Sequence, residues 1–194
     1  MVPNNLSIVC YTGGTCGDLI TAMIDSRDVK LENKVIIHTT DRQRLKKPHL
    51  FANDEEKNQF LINVAYQYNS IPSHDFTYHM SQSHDFISIV VSDIKTAEWA
   101  ATRFKKLHRP HVWAEMSKAS NANTVDEYAQ LLIDYSNMVC NHNNKYVTLE
   151  DIRKGKVIDK LEELLQTDLS KGGKYIYKNW LYSCLLYTSD AADE

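Results

Sequence analysis

The chain has 194 residues, 43% hydrophobic and 24% charged, which is the make-up of one globular domain and excludes wholesale disorder or two ordinary domains. Six Gly and four Pro exclude collagenous and low-complexity architectures, and no apolar run nears the roughly 18 residues that a membrane helix needs. With 22 basic against 25 acidic residues the formal charge is −3, which argues against a protein that coats nucleic acid.

In chain order, Met1 to Asn5 lacks a basic stretch and passes straight into the apolar run Leu6 to Tyr11. That run reads as a strand and not a signal peptide, so a cytoplasmic location is expected. A turn, Thr12 to Gly17, leads into a helix over Asp18 to Asp25. A strand at Val35 to His38 precedes a basic loop, and a helix covers Asp54 to Tyr68. The short segment Ser70 to Ser73 precedes three histidines. The continuous run Ile87 to Val91 marks Phe86 to Ser92 as a central strand buried on both sides. A helix over Thr96 to Leu107 carries Ala97, Ala100, Ala101 and Phe104 on one flank, and Pro110 stops it. A helix at Val125 to Val139, a loop at Asn141 to Asn144, a strand at Tyr146 to Leu149 and a helix over Asp151 to Leu165 follow. Strands alternating with helices predict an α/β fold, a three-layer domain with a mostly parallel central sheet flanked by helices.

The last eleven residues, Cys184 to Glu194, read as the translation of a transposase sequencing adapter. On that reading the natural sequence is cut off near Ser183, residues 1–183 form a single truncated domain, and 184–194 is an artefactual tail that should pack poorly. Setting aside Asp190, Asp193 and Glu194 leaves 22 acids against 22 bases. The remaining thiols, Cys10, Cys16 and Cys140, are odd in number and lack Cys-x-x-Cys spacing, so neither a disulfide framework nor a zinc knuckle is expected.

Chemistry concentrates at three places. Thr12-Gly13-Gly14-Thr15-Cys16-Gly17 lies between a strand and a helix N-terminus, where glycines let backbone approach an anion and free amides point along the helix dipole. It is neither a Walker A loop, since Gly17-Asp18-Leu19 replaces Gly-Lys-Ser/Thr, nor a G-x-G-x-x-G fingerprint. Asp18 reads as a helix-start acid that would repel a phosphate placed beside it. His74, His79 and His84 fall at five-residue steps that suit no single face, so no metal site is expected. His74, after Ser70 to Ser73, is a candidate general base at the carboxyl edge of the sheet, with Asp75 as its orienting partner. Finally, Arg42, Arg44, Lys46 and Lys47 are placed to bind an anionic substrate from the loop after the Val35 strand. Trp99, Trp113 and Tyr128 read as core or interface anchors.

The order of these pieces resembles the P-loop sulfotransferase superfamily. There a strand and a Gly-Thr-containing loop bind the 5′-phosphosulfate of 3′-phosphoadenosine 5′-phosphosulfate, as Gly14-Thr15-Cys16 would here, and a catalytic His precedes a central strand, as His74 precedes Phe86 to Ser92. Leu149-Glu150-Asp151-Ile152 is similar to the family's Glu-Asp-Leu-like motif. The resemblance spans Leu6 to Leu169 and implies a P-loop NTPase-like fold and sulfuryl transfer to a small-molecule or glycan hydroxyl, without a metal. It places the donor on Thr12, Gly13, Gly14, Thr15, Cys16 and Gly17, with His74 as base and Arg42, Arg44 and Lys46 toward the substrate. The family's 3′-phosphate Arg falls at Ser92 and its partner Ser at Ala100, so Arg42, Arg103 or Arg109 would have to substitute. Lys171-Gly172-Gly173-Lys174 to Trp180 is similar to the family's basic cofactor-clamping loop. The same first turn also resembles that of two-domain glycosyltransferases, and a non-catalytic viral or microbial binding protein on this fold is the third expectation.

Overall fold

The structure, a computed structural model, describes residues 6–26, 44–46, 50–107, 110, 113–114 and 121–189, with side chains to Tyr182. Among the described residues four parallel strands form one sheet: β1 Ser7–Cys10, β2 Ser70–Ser73, β3 Phe86–Val90 and β4 Tyr146–Thr148. They lie in the order β2-β1-β3-β4. Pleating sends Val9, Ile87, Ile89 and Val147 into one core and Ile8, Cys10, Ile71, Phe86 and Val90 into another. Both faces are therefore covered, which is why the strands read as unbroken apolar runs and why the expected three-layer α/β architecture holds.

Eight α-helices lie among the described residues: α1 Gly17–Asp25, α2 Asp54–Ala65, α3 Phe76–Ser81, α4 Ile94–Leu107, α5 Val125–Cys140, α6 Leu149–Arg153, α7 Val157–Leu165 and α8 Lys171–Ser189. Helix starts follow side-chain caps. Asn53, Asp75 and Thr148 each accept an amide from the first turn, and Thr124 forms a reciprocal capping box with Glu127. The first core joins Ile20 and Met23 of α1, Ala97, Ala100 and Ala101 of α4, and Tyr128 and Leu132 of α5, with Trp99 and Trp113 packed against it as anchors. The second joins Leu61 and Val64 of α2 with Phe76 and Tyr78 of α3. Each wholly buried side chain, such as Met23 or Ile89, contributes about 1.5–3 kcal/mol.

Four expectations change. Ser70–Ser73 is a full strand, paired Val9↔Pro72 with β1. Its four-residue length and its proline hid it, and it sits at an edge of the described sheet, where a missing N–H is tolerated. The single helix expected over Asp151 to Leu165 is two, because Gly155 at φ +85° breaks it between α6 and α7. Phe76–Ser81, which had no assignment, is the helix capped by Asp75. The stretch from Lys171 is no clamping loop but the start of α8, with Gly173 against the backbone of Met23. The strand expected at Val35 to His38 lies outside the described residues. None of the helices described is long and apolar enough to cross a membrane.

Candidate functional site

The chain runs from β1 outward to β2 and returns across β1 to β3, so the strand order reverses at the β1/β3 boundary. In open α/β sheets the crevice at the carboxyl ends beside such a reversal is where ligands bind. Across this edge the sheet order places His74 after β2, Thr12 after β1, Ser92 and Asp93 after β3, and Glu150 after β4. Three buried side-chain atoms among the described residues lack a hydrogen-bond partner, Thr12 Oγ1, His74 Nε2 and Glu150 Oε2, and all three belong to this row. A buried polar atom without a partner costs about 1–3 kcal/mol, and their gathering on one edge makes that edge the candidate site.

The β1 end of the row is a compact charged cluster. The Tyr11 hydroxyl donates to Asp18 Oδ1 at 2.8 Å. Lys46, in a 3-10 turn at Arg44–Lys46, lies 2.5 and 2.6 Å from the two carboxylate oxygens of Asp18. The Lys46 side chain is only 14% exposed, and its Nζ also sits 5.5 Å from the centre of the Tyr11 ring. His74 meets that ring edge-on at 4.7 Å. Burial, helped by the Lys46 charge and opposed by Asp18, lowers the His74 pKa to about 4, so the imidazole is neutral at pH 7. Burial also lowers Lys46, with Asp18 pulling it back up. Tyr11 is raised well above the usual phenol value, first by burial and then by Asp18, and so stays a donor.

The turn Thr12 to Gly17 is shaped as much by packing as by ligand access. A Cβ on Gly13 would meet the Tyr128 hydroxyl at 2.9 Å and the Phe104 ring at 3.0 Å, and one on Gly17 would lie 2.0 Å from the Tyr11 ring. A Cβ on Gly14, whose φ is +89°, would meet the Ala100 carbonyl oxygen at 3.0 Å. Thr15 is buried and its hydroxyl donates back to the Thr12 carbonyl at 2.7 Å. Tyr128, stacked on Phe104, donates to the Gly13 carbonyl at 3.2 Å. Thr12, Gly14 and Cys16 are half-buried, the last an N-cap in the left-handed region with no side-chain cap bond to α1.

Other residues singled out in the sequence scatter. Arg44 pairs with Glu56 at 3.1 Å and lies over Phe51. Arg103 lies over Trp99 and Trp180 on the flank of α4. Ser92 is exposed, and its N–H, like that of Asp93, donates to Glu150 Oε1, at 2.9 and 3.1 Å. Arg42 and Arg109 lie outside the described residues, as does Lys47. Asp75 caps α3 and pairs with Lys57 at 2.8 Å. His79 and His84 pair with each other, Nδ1 to Nδ1 at 3.1 Å, and His79 Nε2 contacts Ser73 Oγ at 2.8 Å. Among the described residues no group of three or more His, Cys, Asp or Glu could hold a metal ion.

No protein-family model, curated protein or solved structure matches the chain. The reading of the site therefore rests on its own geometry. Sequence reasoning missed Tyr11, hidden at the end of an apolar run, and Asp18 and Glu150 as members of the site. The one available signal was positional, since each is within two residues of a strand end or in the first turn of the following helix. A cavity of about 740 Å³, lined by Leu6, His84, Phe86 and Lys145 among others, lies at the opposite, amino-terminal edge, away from the row of unpartnered atoms.

Tested against a 3′-phosphoadenosine 5′-phosphosulfate donor, the residues fit one half. Thr12 Oγ1 without a partner and the uncapped start of α1 suit the phosphosulfate end. The 3′-phosphate end finds no counterpart in Ser92 or Arg103, whose amide and guanidinium are engaged elsewhere.

Proposed function

We propose that this chain is a sulfotransferase-like transferase that binds an anionic donor of the 3′-phosphoadenosine 5′-phosphosulfate type at the β1–α1 turn, with His74 as its general base. The observation that carries this reading is the His74 Nε2 atom: buried, without a partner, at the carboxyl end of β2 and within a cluster that also holds a largely shielded lysine. The donor, when bound, supplies an activated sulfuryl group. The chain supplies the rest. Neutral His74 accepts the proton of an acceptor hydroxyl, and the nearby Asp18 charge favours the imidazolium that results. Lys46 is a cation positioned against developing negative charge, the arrangement that contributes most in such sites. A small molecule or glycan with a free hydroxyl is the acceptor class, and the absence of a disulfide among the described cysteines Cys10, Cys16 and Cys140 suits a reducing, cytoplasmic setting.

The test is release of 3′,5′-bisphosphoadenosine from the sulfated donor in the presence of a panel of phenolic and sugar acceptors. His74→Ala should lower turnover by about a hundredfold or more with its melting temperature kept. The acid limb of the wild-type rate should fall near pH 4 and not at the ordinary histidine value of 6.5. Unchanged turnover removes His74 from the mechanism. One observation favours a second reading, a binding domain without transfer: the Ser92 amide is taken by Glu150 and the Arg103 guanidinium lies over Trp99. Tight binding of bisphosphoadenosine with no turnover on any acceptor would select it.

A further inference from the structure

Asp18 is an odd residue for a turn that receives an anion, because its carboxylate occupies the first turn of α1, where the helix dipole would otherwise favour the ligand. Its contacts explain how the site tolerates it. Lys46 Nζ is within 2.5 and 2.6 Å of both Asp18 oxygens, and Tyr11 adds a third donor contact at 2.8 Å. The pair is neutral as it stands. The Asp18 side chain is 36% exposed, against 14% for Lys46, so the carboxylate can fall back on water while the ammonium stays in the shielded interior of the cluster.

We propose that the Asp18–Lys46 ion pair is a charge latch, in which an oxyanion arriving at the β1–α1 turn takes Lys46 from Asp18. This rests on the anion-binding reading given above and names the residue that sets its selectivity. The exchange is a swap of one charge-assisted contact for another, and no bond is made or broken. Asp18 both repels the incoming anion and competes for its cation, so it weakens anions in general. A ligand must bring enough charge density to win Lys46, which selects phosphorylated or sulfated groups over simple carboxylates. Tyr11 keeps Asp18 in place after the swap, and through its ring contact with His74 it ties the latch to the proposed base.

The experiment is calorimetric titration of the full chain, at one fixed low ionic strength, with 3′,5′-bisphosphoadenosine, pyrophosphate and acetate. It is run on the wild type, Asp18→Asn and Lys46→Met, each checked for fold by circular dichroism. Asp18→Asn keeps the shape and loses the charge, so it should bind both phosphate ligands about tenfold more tightly and begin to bind acetate. Lys46→Met should weaken both phosphate ligands by at least that factor. A folded Asp18→Asn that binds no more tightly than wild type overturns the latch, while wild-type binding of bisphosphoadenosine leaves the proposed function standing. Should Asp18→Asn fail to fold, Lys46→Met decides alone, and unchanged affinity in it overturns the latch. Absence of binding in every protein overturns the latch and the anion-binding reading together.

Discussion

At the scale of single residues, the first glycine-rich turn carries two demands that the sequence displays as one. Gly13, Gly14 and Gly17 have the look of a backbone opened for a phosphate, yet each has a neighbour where a side chain would begin. Gly14→Val, which on the sequence alone reads as a probe of ligand approach, would instead press on Ala100 and Phe104. Gly17 is the sharper case. A Cβ there would stand 2.0 Å from the Tyr11 ring and push it off both His74 and Asp18. Gly17→Ala should cost about 1–3 kcal/mol, lowering the melting temperature by roughly 3–10 °C for a chain of this size. It should also weaken anion binding because the latch loses its third donor. A melt unchanged within a degree would show that Tyr11 is free to move.

At the scale of elements, helix starts were legible after Asn53 and Thr124, but not after Thr148, where the strand was expected to reach Leu149 and the helix to begin at Asp151. Elements shorter than their own period were not legible either, which is why β2 and α3 escaped notice. Ser73-His74-Asp75-Phe76 and Ser83-His84-Asp85-Phe86 look like an echo but take different parts. Asp75 caps α3, while Asp85 pairs with Lys145 at 2.6 Å before β3. The seat of α8 on α1 includes a close approach that no periodicity reveals: a Cβ on Gly173 would lie 2.4 Å from the Met23 carbonyl oxygen, whereas one on Gly172 has its nearest neighbour at 3.6 Å. Gly173→Val should therefore lift α8 from α1 and cost about 2–3 kcal/mol. Gly172→Ala should be nearly neutral. Denaturant midpoints of the two variants check this, and equal midpoints would overturn it.

At the scale of the whole molecule, acid should unfold this protein through its buried histidines. His79 is wholly buried, and burial, reinforced by His84, lowers its pKa from 6.5 to about 3. His74 falls to about 4 for the same leading reason. Between these values and 6.5 the unfolded chain takes protons that the folded chain refuses, so stability rises with pH across that window. Stability is full above about pH 6.5 and is lost progressively as pH falls. For His79 alone the loss between pH 7 and pH 5 is about 2 kcal/mol. Urea midpoints at the two values measure it, and His79→Phe should show a flatter dependence. An equal slope in the variant would place the acid sensitivity elsewhere.

The sequence by itself determined the layered α/β class, because unbroken apolar strands and one-sided helices have few ways to bury themselves, and parallel strands covered on both faces are the simplest. It also picked out His74, Lys46 and the Thr12 to Gly17 turn as places of interest, His74 and the turn because each follows a strand toward one edge and Lys46 because of the cations around it. Only the tertiary structure decided which of these meet. The reversal of strand order at β1 and β3, the joining of His74 and Lys46 through Tyr11 and Asp18, and the diversion of Arg44, Arg103 and Ser92 to other partners all depend on contacts between segments far apart in the chain. Local periodicity carries the preference of a residue for an inside or an outside. It does not carry which inside two distant residues will share.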